Sequence, residues 1–157
     1  MRKLACFLIV IFLCAITIFP ISGKTQNEVD RYSILINLNE AKTWINDNEL
    51  PRYSYHLRIG RLMMPKEFYK ENFSFQITED YSSANMTLTL SCNETNILFS
   101  IISPYVIVNG IEKEIDCAPY FNHVGSWLLP FRFIFEALGG EVGWNAETRE
   151  ITVEVDL

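Results

Sequence analysis

The chain has 157 residues, a formal net charge of −6 from 19 acidic against 13 basic side chains, and 49% hydrophobic residues, among them 11 Phe, 7 Tyr and 3 Trp. That apolar content is enough for one ordinary core and excludes a disordered chain. The acidic balance, with no Lys/Arg cluster longer than a dipeptide, excludes the basic footprint that nucleic acid or an anionic membrane surface requires.

Arg2 and Lys3 precede an almost unbroken apolar run from Leu4 to Ile18, and Pro20-Ile21-Ser22-Gly23 follows as a small-residue exit. This is the layout of a secretory signal peptide over residues 1–23, with cleavage expected after Gly23. The alternative is an uncleaved anchor, for which the apolar span is slightly short. No second long apolar stretch follows, so no membrane association is expected beyond the leader.

Residues 24–31 are polar and are expected to form a flexible start, leaving 32–157 as the domain. Tyr32 to Leu38 reads as a strand, Asn39-Glu40 as a turn and Ala41 to Ile45 as the return. Leu62-Met63-Met64-Pro65 is an apolar stretch closed by proline, and Phe68, Tyr69 and Asn72 continue as a short helix. Phe73 to Ile77 reads as a strand, Glu79 to Ser83 as a turn and Met86 to Leu90 as an alternating strand.

Tyr105-Val106-Ile107-Val108 runs into Asn109-Gly110, the strongest short hairpin signal, because both residues accept φ > 0 in a type I′ turn. Ile111 to Ile115 returns, and Pro119 falls in the break that follows. Trp127-Leu128-Leu129 ends at Pro130, where the period changes. Phe131, Ile134, Phe135 and Leu138 fall at i, i+3, i+4 and i+7, one face of a helix. Pro130 suits its first turn, and Gly139-Gly140 stops it with a left-handed cap. Phe133 and Ala137 make this two-turn helix apolar on a second side, so it must lie against a sheet. Glu141 to Trp144 is a short strand, Asn145 to Arg149 a turn, and Glu150 to Val155 an alternating strand.

The expected fold class is α+β, with antiparallel β-sheets curled around short helices. Similar element order, with Leu62 to Pro65 matching Leu128 to Pro130 and Asn39-Glu40 in the place of Asn109-Gly110, predicts two diverged ββαββ units at about 32–91 and 104–157. Cys6 and Cys14 lie in the leader. Cys92 and Cys117 remain, either as two buried thiols or as a disulfide closing a loop of about 26 residues and contributing about 3–4 kcal/mol.

Val106-Ile-Val-Asn-Gly110, Pro119, Trp127-Leu-Leu-Pro-Phe-Arg132, Glu136-Ala-Leu-Gly-Gly-Glu-Val-Gly-Trp144-Asn and Thr148-Arg-Glu-Ile-Thr-Val153 together resemble the copper amine oxidase N-terminal domain-like family, also called stalk domains. The resemblance covers about the last fifty residues. The first half matches in order only and lacks the Asn-Gly, the Arg after the proline, the Ala-Leu-Gly and the Trp. It implies an exported protein of Gram-positive bacteria and an antiparallel sheet curled around a helix. It also implies a stalk remote from copper and quinone chemistry, hence no oxidase activity and no cofactor. Asn109, Gly110, Pro119, Pro130, Arg132, Gly139 and Trp144 are then structural signature positions.

Residue chemistry points the same way. His56 and His123 are too few for copper or zinc, which take three or more N/S ligands, so no metal is expected. Glu112 and Glu114 share one strand face toward solvent, and Glu79-Asp80 is placed in a turn. No nucleophile motif or phosphate loop occurs. Arg132 stands four residues before Glu136, the spacing of a helical ion pair. Trp127 and Trp144 are expected in the core; exposed, they would stack on sugar rings. The sequons at Asn72, Asn85 and Asn93 are read as chance. The reading is an exported non-catalytic module for binding or spacing at the bacterial cell envelope, with cell-wall glycan or another surface protein as partner. The alternative is a small secreted enzyme or enzyme inhibitor with a cleft between the two units.

Overall fold

The computed structural model describes residues 30–82 and 85–157. The leader assigned to 1–23 lies outside the described residues, as does the start assigned to 24–31 up to residue 29. The chain runs through β1 (Arg31–Asn37), β2 (Lys42–Ile45), β3 (Asn48–Glu49), β4 (His56–Arg58), β5 (Arg61–Pro65), α1 (Lys66–Asn72), β6 (Gln76–Asp80) and β7 (Thr87–Cys92). It continues through β8 (Thr95–Ser100), β9 (Tyr105–Val108), β10 (Ile111–Glu114), β11 (Tyr120–Phe121), β12 (Trp127–Pro130), α2 (Phe131–Ala137), β13 (Glu141–Asn145) and β14 (Glu150–Asp156). Three antiparallel sheets result, ordered β13-β14-β1-β2-β3, β10-β9-β8-β7-β6 and β11-β12-β5-β4. The α+β architecture of antiparallel sheets around short helices is present.

The ββαββ units are not. Among the described residues each helix is preceded by five strands and followed by two, and the second run starts at Thr95 rather than at 104. The strong Asn-Gly signal draws the start of a unit to β9, whereas β8 is the central strand of its sheet, with Ile97 and Phe99 buried. The turn that shares the geometry of Asn109-Gly110 is Asn46-Asp47, not Asn39-Glu40. Asn46 and Asp47 lie at φ 48 and 63, Asn109 and Gly110 at φ 50 and 82. Each pair closes a two-residue loop, between Ile45 and Asn48 and between Val108 and Ile111. Each asparagine also accepts from a neighbouring strand: Ser33 N–H donates to Asn46 Oδ1 at 2.8 Å, and Asn96 N–H to Asn109 Oδ1 at 2.7 Å.

Asp30 and Arg31, the described residues of the start expected at 24–31, are held in the fold. Asp30 and Leu157 exchange two backbone hydrogen bonds of 2.9 Å, and β1 pairs with β14 along its whole length. Nothing local in the sequence encodes this pairing of β1 with β14.

Neither seven-residue helix is long enough to be stable alone, and both are held by their aromatic faces. α2 packs on β5, β12 and β13, so strands from both runs surround it. Phe131 and Phe135 lie 4.9 Å apart by ring centroids, Phe73 and Phe135 5.5 Å, and Phe68 and Phe131 6.0 Å. Pro130 ends β12 opposite Met63 and caps the start of α2. The helix stops in a Schellman turn: Gly139, at φ 85, donates to the Glu136 carbonyl at 3.1 Å, and Gly140 to that of Phe135 at 2.8 Å. Buried Pro119 accepts the Ile102 N–H at 2.9 Å.

Cys92 and Cys117 are free thiols, so the disulfide considered above is not formed. They sit in different clusters, Cys92 in the main core and Cys117 with Met63 and Leu128. Burial pushes both thiols above their ordinary range, which keeps them protonated and inert.

Tyr69 on α1 carries a cost in the same core. Its hydroxyl is buried without a hydrogen-bond partner, and burial raises its pKa well above 10. Tyr69→Phe keeps the ring and removes the desolvated oxygen. It should therefore stabilise the fold by about 1–3 kcal/mol, read from the urea midpoint at neutral pH. A destabilised variant would mean that the hydroxyl has a partner.

Candidate functional site

The β4–β5 hairpin, the start of α2 and the β13–β14 hairpin enclose a groove of about 500 Å³. Its floor is apolar, formed by Leu57, Leu62, Phe131, Val142 and Ile151, with Trp144 on one wall. Trp144 lies opposite Ile151 and Val142 opposite Val153, so both side chains point to the inner face of their sheet. β13 is the outermost strand, however, and little covers that end of the face. Trp144 is accordingly 48% exposed, which corrects its expected place in the core, whereas Trp127 is 0% exposed.

Three arginines border the floor. Arg61 opens β5 and pairs with Asp116. Arg132, in the first turn of α2, lies 3.9 Å from Glu136 across one helical turn. Both pairs are half-exposed, and such pairs hold their partners only weakly. Arg149 lies in the β13–β14 turn at φ 55 and makes no ion pair among the described residues. Its carbonyl accepts the Leu38 N–H at 3.0 Å, and that of Thr148 accepts Asn39 Nδ2 at 3.1 Å. The turn is thus anchored while its guanidinium remains available. Past Arg61 and Arg132 a second depression of about 290 Å³ adds Glu114, Asp116 and Glu136 to the lining.

The groove of Trp144 joins an apolar floor to arginines, and its lining among the described residues holds no Ser, Cys, His or carboxylate. In the second depression Asp116 and Glu136 sit beside Arg61 and Arg132, and neither histidine lines the groove or the depression. His56 Nδ1 lies 3.2 Å from Tyr120 Oη, and Arg58 stacks 4.6 Å over the Tyr120 ring. His123 is exposed in the turn between β11 and β12. Glu112 and Glu114 are both exposed on β10. Among the described residues no three His, Cys, Asp or Glu side chains are grouped closely enough to hold a metal ion.

Glu79 and Asp80 close β6 instead of forming the expected turn. Burial pushes the Glu79 carboxyl up. Hydrogen bonds from Lys66 Nζ and Tyr81 Oη, with the Lys66 and Lys70 charges, more than offset this, and the group titrates below its ordinary 4.5. A carboxyl with a depressed folded-state pKa contributes stability that is complete above the unfolded value and lost as pH falls through the folded one. The melting temperature of the wild type should therefore drop more steeply below pH 4.5 than that of Glu79→Gln. Parallel acid limbs would show that the Lys66–Glu79 pair contributes nothing.

The sequence reading names Arg132 and Trp144 but misses Arg61, Arg149 and Leu57 in the same groove. A lone arginine in a turn carries no motif. Nothing local in the sequence brings Arg61 to Trp144, because the two are far apart in the chain and meet only in the fold.

A family model described as copper amine oxidase N-terminal domain matches residues 59–153, more than half of the chain. The match starts in the β4–β5 turn and ends within β14, taking in both helices and strands of all three sheets. It reaches well before the C-terminal motifs that carry the resemblance. No curated protein and no solved structure matches the chain. The family is named for the N-terminal domain of copper amine oxidases, a non-catalytic part of those enzymes. The donor set does not fit a copper centre: the described residues include two histidines, one engaged with Tyr120 and the other on an exposed turn.

Proposed function

Because the chain belongs to the copper amine oxidase N-terminal domain family, we propose that it is an exported, non-catalytic stalk-like module that binds or spaces components at the bacterial cell envelope. The observation that carries this reading is the groove, which joins a half-exposed indole and three arginines on an apolar floor without a nucleophile or an acid–base pair. The basic start and apolar run of residues 2–18 support export. Cell-wall glycan is the partner that an open aromatic wall with a polar rim suits. The same reading takes the domain as two diverged copies of an eight-element unit, related by a shift of about 64 residues. In support, the two five-stranded sheets correspond strand for strand, and His56 meets Tyr120 where β4 and β11 take the same place in each unit.

Retention on purified wall polymers tests the function. The wild-type chain should be retained and Trp144→Ala should elute earlier; no retention of the wild type on any wall polymer counts against a glycan partner. Protein recovered from culture medium should begin at Lys24. Recovery only from membranes, with Met1 intact, would mean an anchored form.

A further inference from the structure

The two runs treat the same place differently. In the second sheet hairpin, Phe121 stands opposite Trp127; in the first, Leu57 stands opposite Leu62. Trp127 and Phe121 meet edge-on at 5.0 Å, Tyr81 lies 6.4 Å from Phe121, and Trp127 Nε1 donates to Tyr81 Oη at 3.3 Å. Those three rings cluster around β12, which packs on α1, with Trp127 fully buried and Tyr81 at the open edge. Beside α1 lies a cleft of about 300 Å³ lined by Lys66, Glu67, Lys70, Glu71, Ile77 and Glu79, with no aromatic wall. Beside α2 two leucines stand where the other side has Trp and Phe, and the larger groove stays open. The frame therefore accommodates a filled site, and the open groove is a property of the side chains chosen at 57 and 62. The ion-paired Lys66 and Glu79 of α1 and β6 give way to Phe131 and Trp144 at the matching places of α2 and β13.

We propose that this groove holds a carboxylate-bearing saccharide chain, with Trp144 against a sugar face and Arg149, Arg61 and Arg132 receiving the carboxylates. The proposal rests on the binding-module reading above. Charge complementarity is its main support: three guanidinium groups border one groove of a chain whose net charge is −6. The overall negative charge disfavours a polyanion that touches the whole surface and favours a ligand whose charges meet the groove alone. Guanidinium forks match carboxylates in two parallel hydrogen bonds, and Arg61 and Arg132 exchange weak half-exposed partners for them. The groove volume lies within the range of small-ligand sites.

Calorimetric titration of the purified chain with hexagalacturonate, its methyl ester and hexaglutamate tests the assignment. Hexagalacturonate should bind, and the ester about tenfold or more weaker, as expected for losing charge-assisted hydrogen bonds. Trp144→Ala and Arg149→Gln should each weaken binding by about tenfold at an unchanged melting temperature. Equal binding of the ester overturns the carboxylate assignment, and equal or tighter binding of hexaglutamate overturns the saccharide. Binding that both variants leave intact overturns the site. Retention on wall polymers without hexagalacturonate binding overturns this ligand class while leaving the module reading in place.

Discussion

Phe135→Ala should lower the unfolding free energy by about 3–5 kcal/mol, measured by urea denaturation with tryptophan fluorescence. Phe135 is 0% exposed and sits where α2 meets α1 and the Phe73 that caps α1. Its ring touches Phe131 at 4.9 Å, Phe73 at 5.5 Å and Tyr69 at 6.1 Å. Its carbonyl also accepts the Gly140 N–H that closes the Schellman turn. Phe131 is fixed on the same helix, and Tyr69 and Phe73 belong to α1 and its cap, which β5 and β12 hold in place, so the rings cannot collapse fully into the space a truncation leaves. A domain of this size keeps a net stability of roughly 5–15 kcal/mol, and the expected loss is a large share of it. Phe133→Ala is the control. Phe133 is half-buried at the edge of α2 with one ring contact, to Phe99 at 6.3 Å, and should cost distinctly less. Equal losses would mean that the inner face of α2 is not the centre of the core.

This contrast also marks how far the sequence reads. The helix after Pro130, its glycine stop and the Asn109-Gly110 hairpin were legible because each depends on neighbours within a few residues: a 3.6-residue apolar period, a proline at the entry, a left-handed position at the exit. β8 was lost because its alternation is short and lies between stronger turn signals. The β1–β14 pairing joins residues more than a hundred positions apart and carries no local mark. Trp144 shows the boundary within one side chain. Alternation sets the face of the sheet toward which it points, but its exposure depends on being on the last strand, which only the assembled sheet order reveals. The groove arginines come from a strand start, a helix and a turn, so the sequence offers three separate cations and the fold one site.

Trp127→Ala should match the loss at Phe135, about 3–5 kcal/mol, while leaving the open groove intact. Trp127 is 0% exposed, meets Phe121 across β11 and β12, and joins Tyr81 through its indole N–H. Removing it deletes the largest of the rings beside α1 and leaves the Tyr81 hydroxyl without a donor. Trp127→Leu should recover part of the loss, because leucine is the residue that Leu62 supplies at the matching place of β5, where the same frame is stable around it. Neither variant touches the lining of the Trp144 groove, so ligand affinity there should stay within about twofold, as for sites that share no partner. If Trp127→Ala instead abolished groove binding in protein that remains folded by its melting transition, the two sides of the domain would be coupled through β5 and β12, and the separation of a filled side from an open, ligand-facing one would fail.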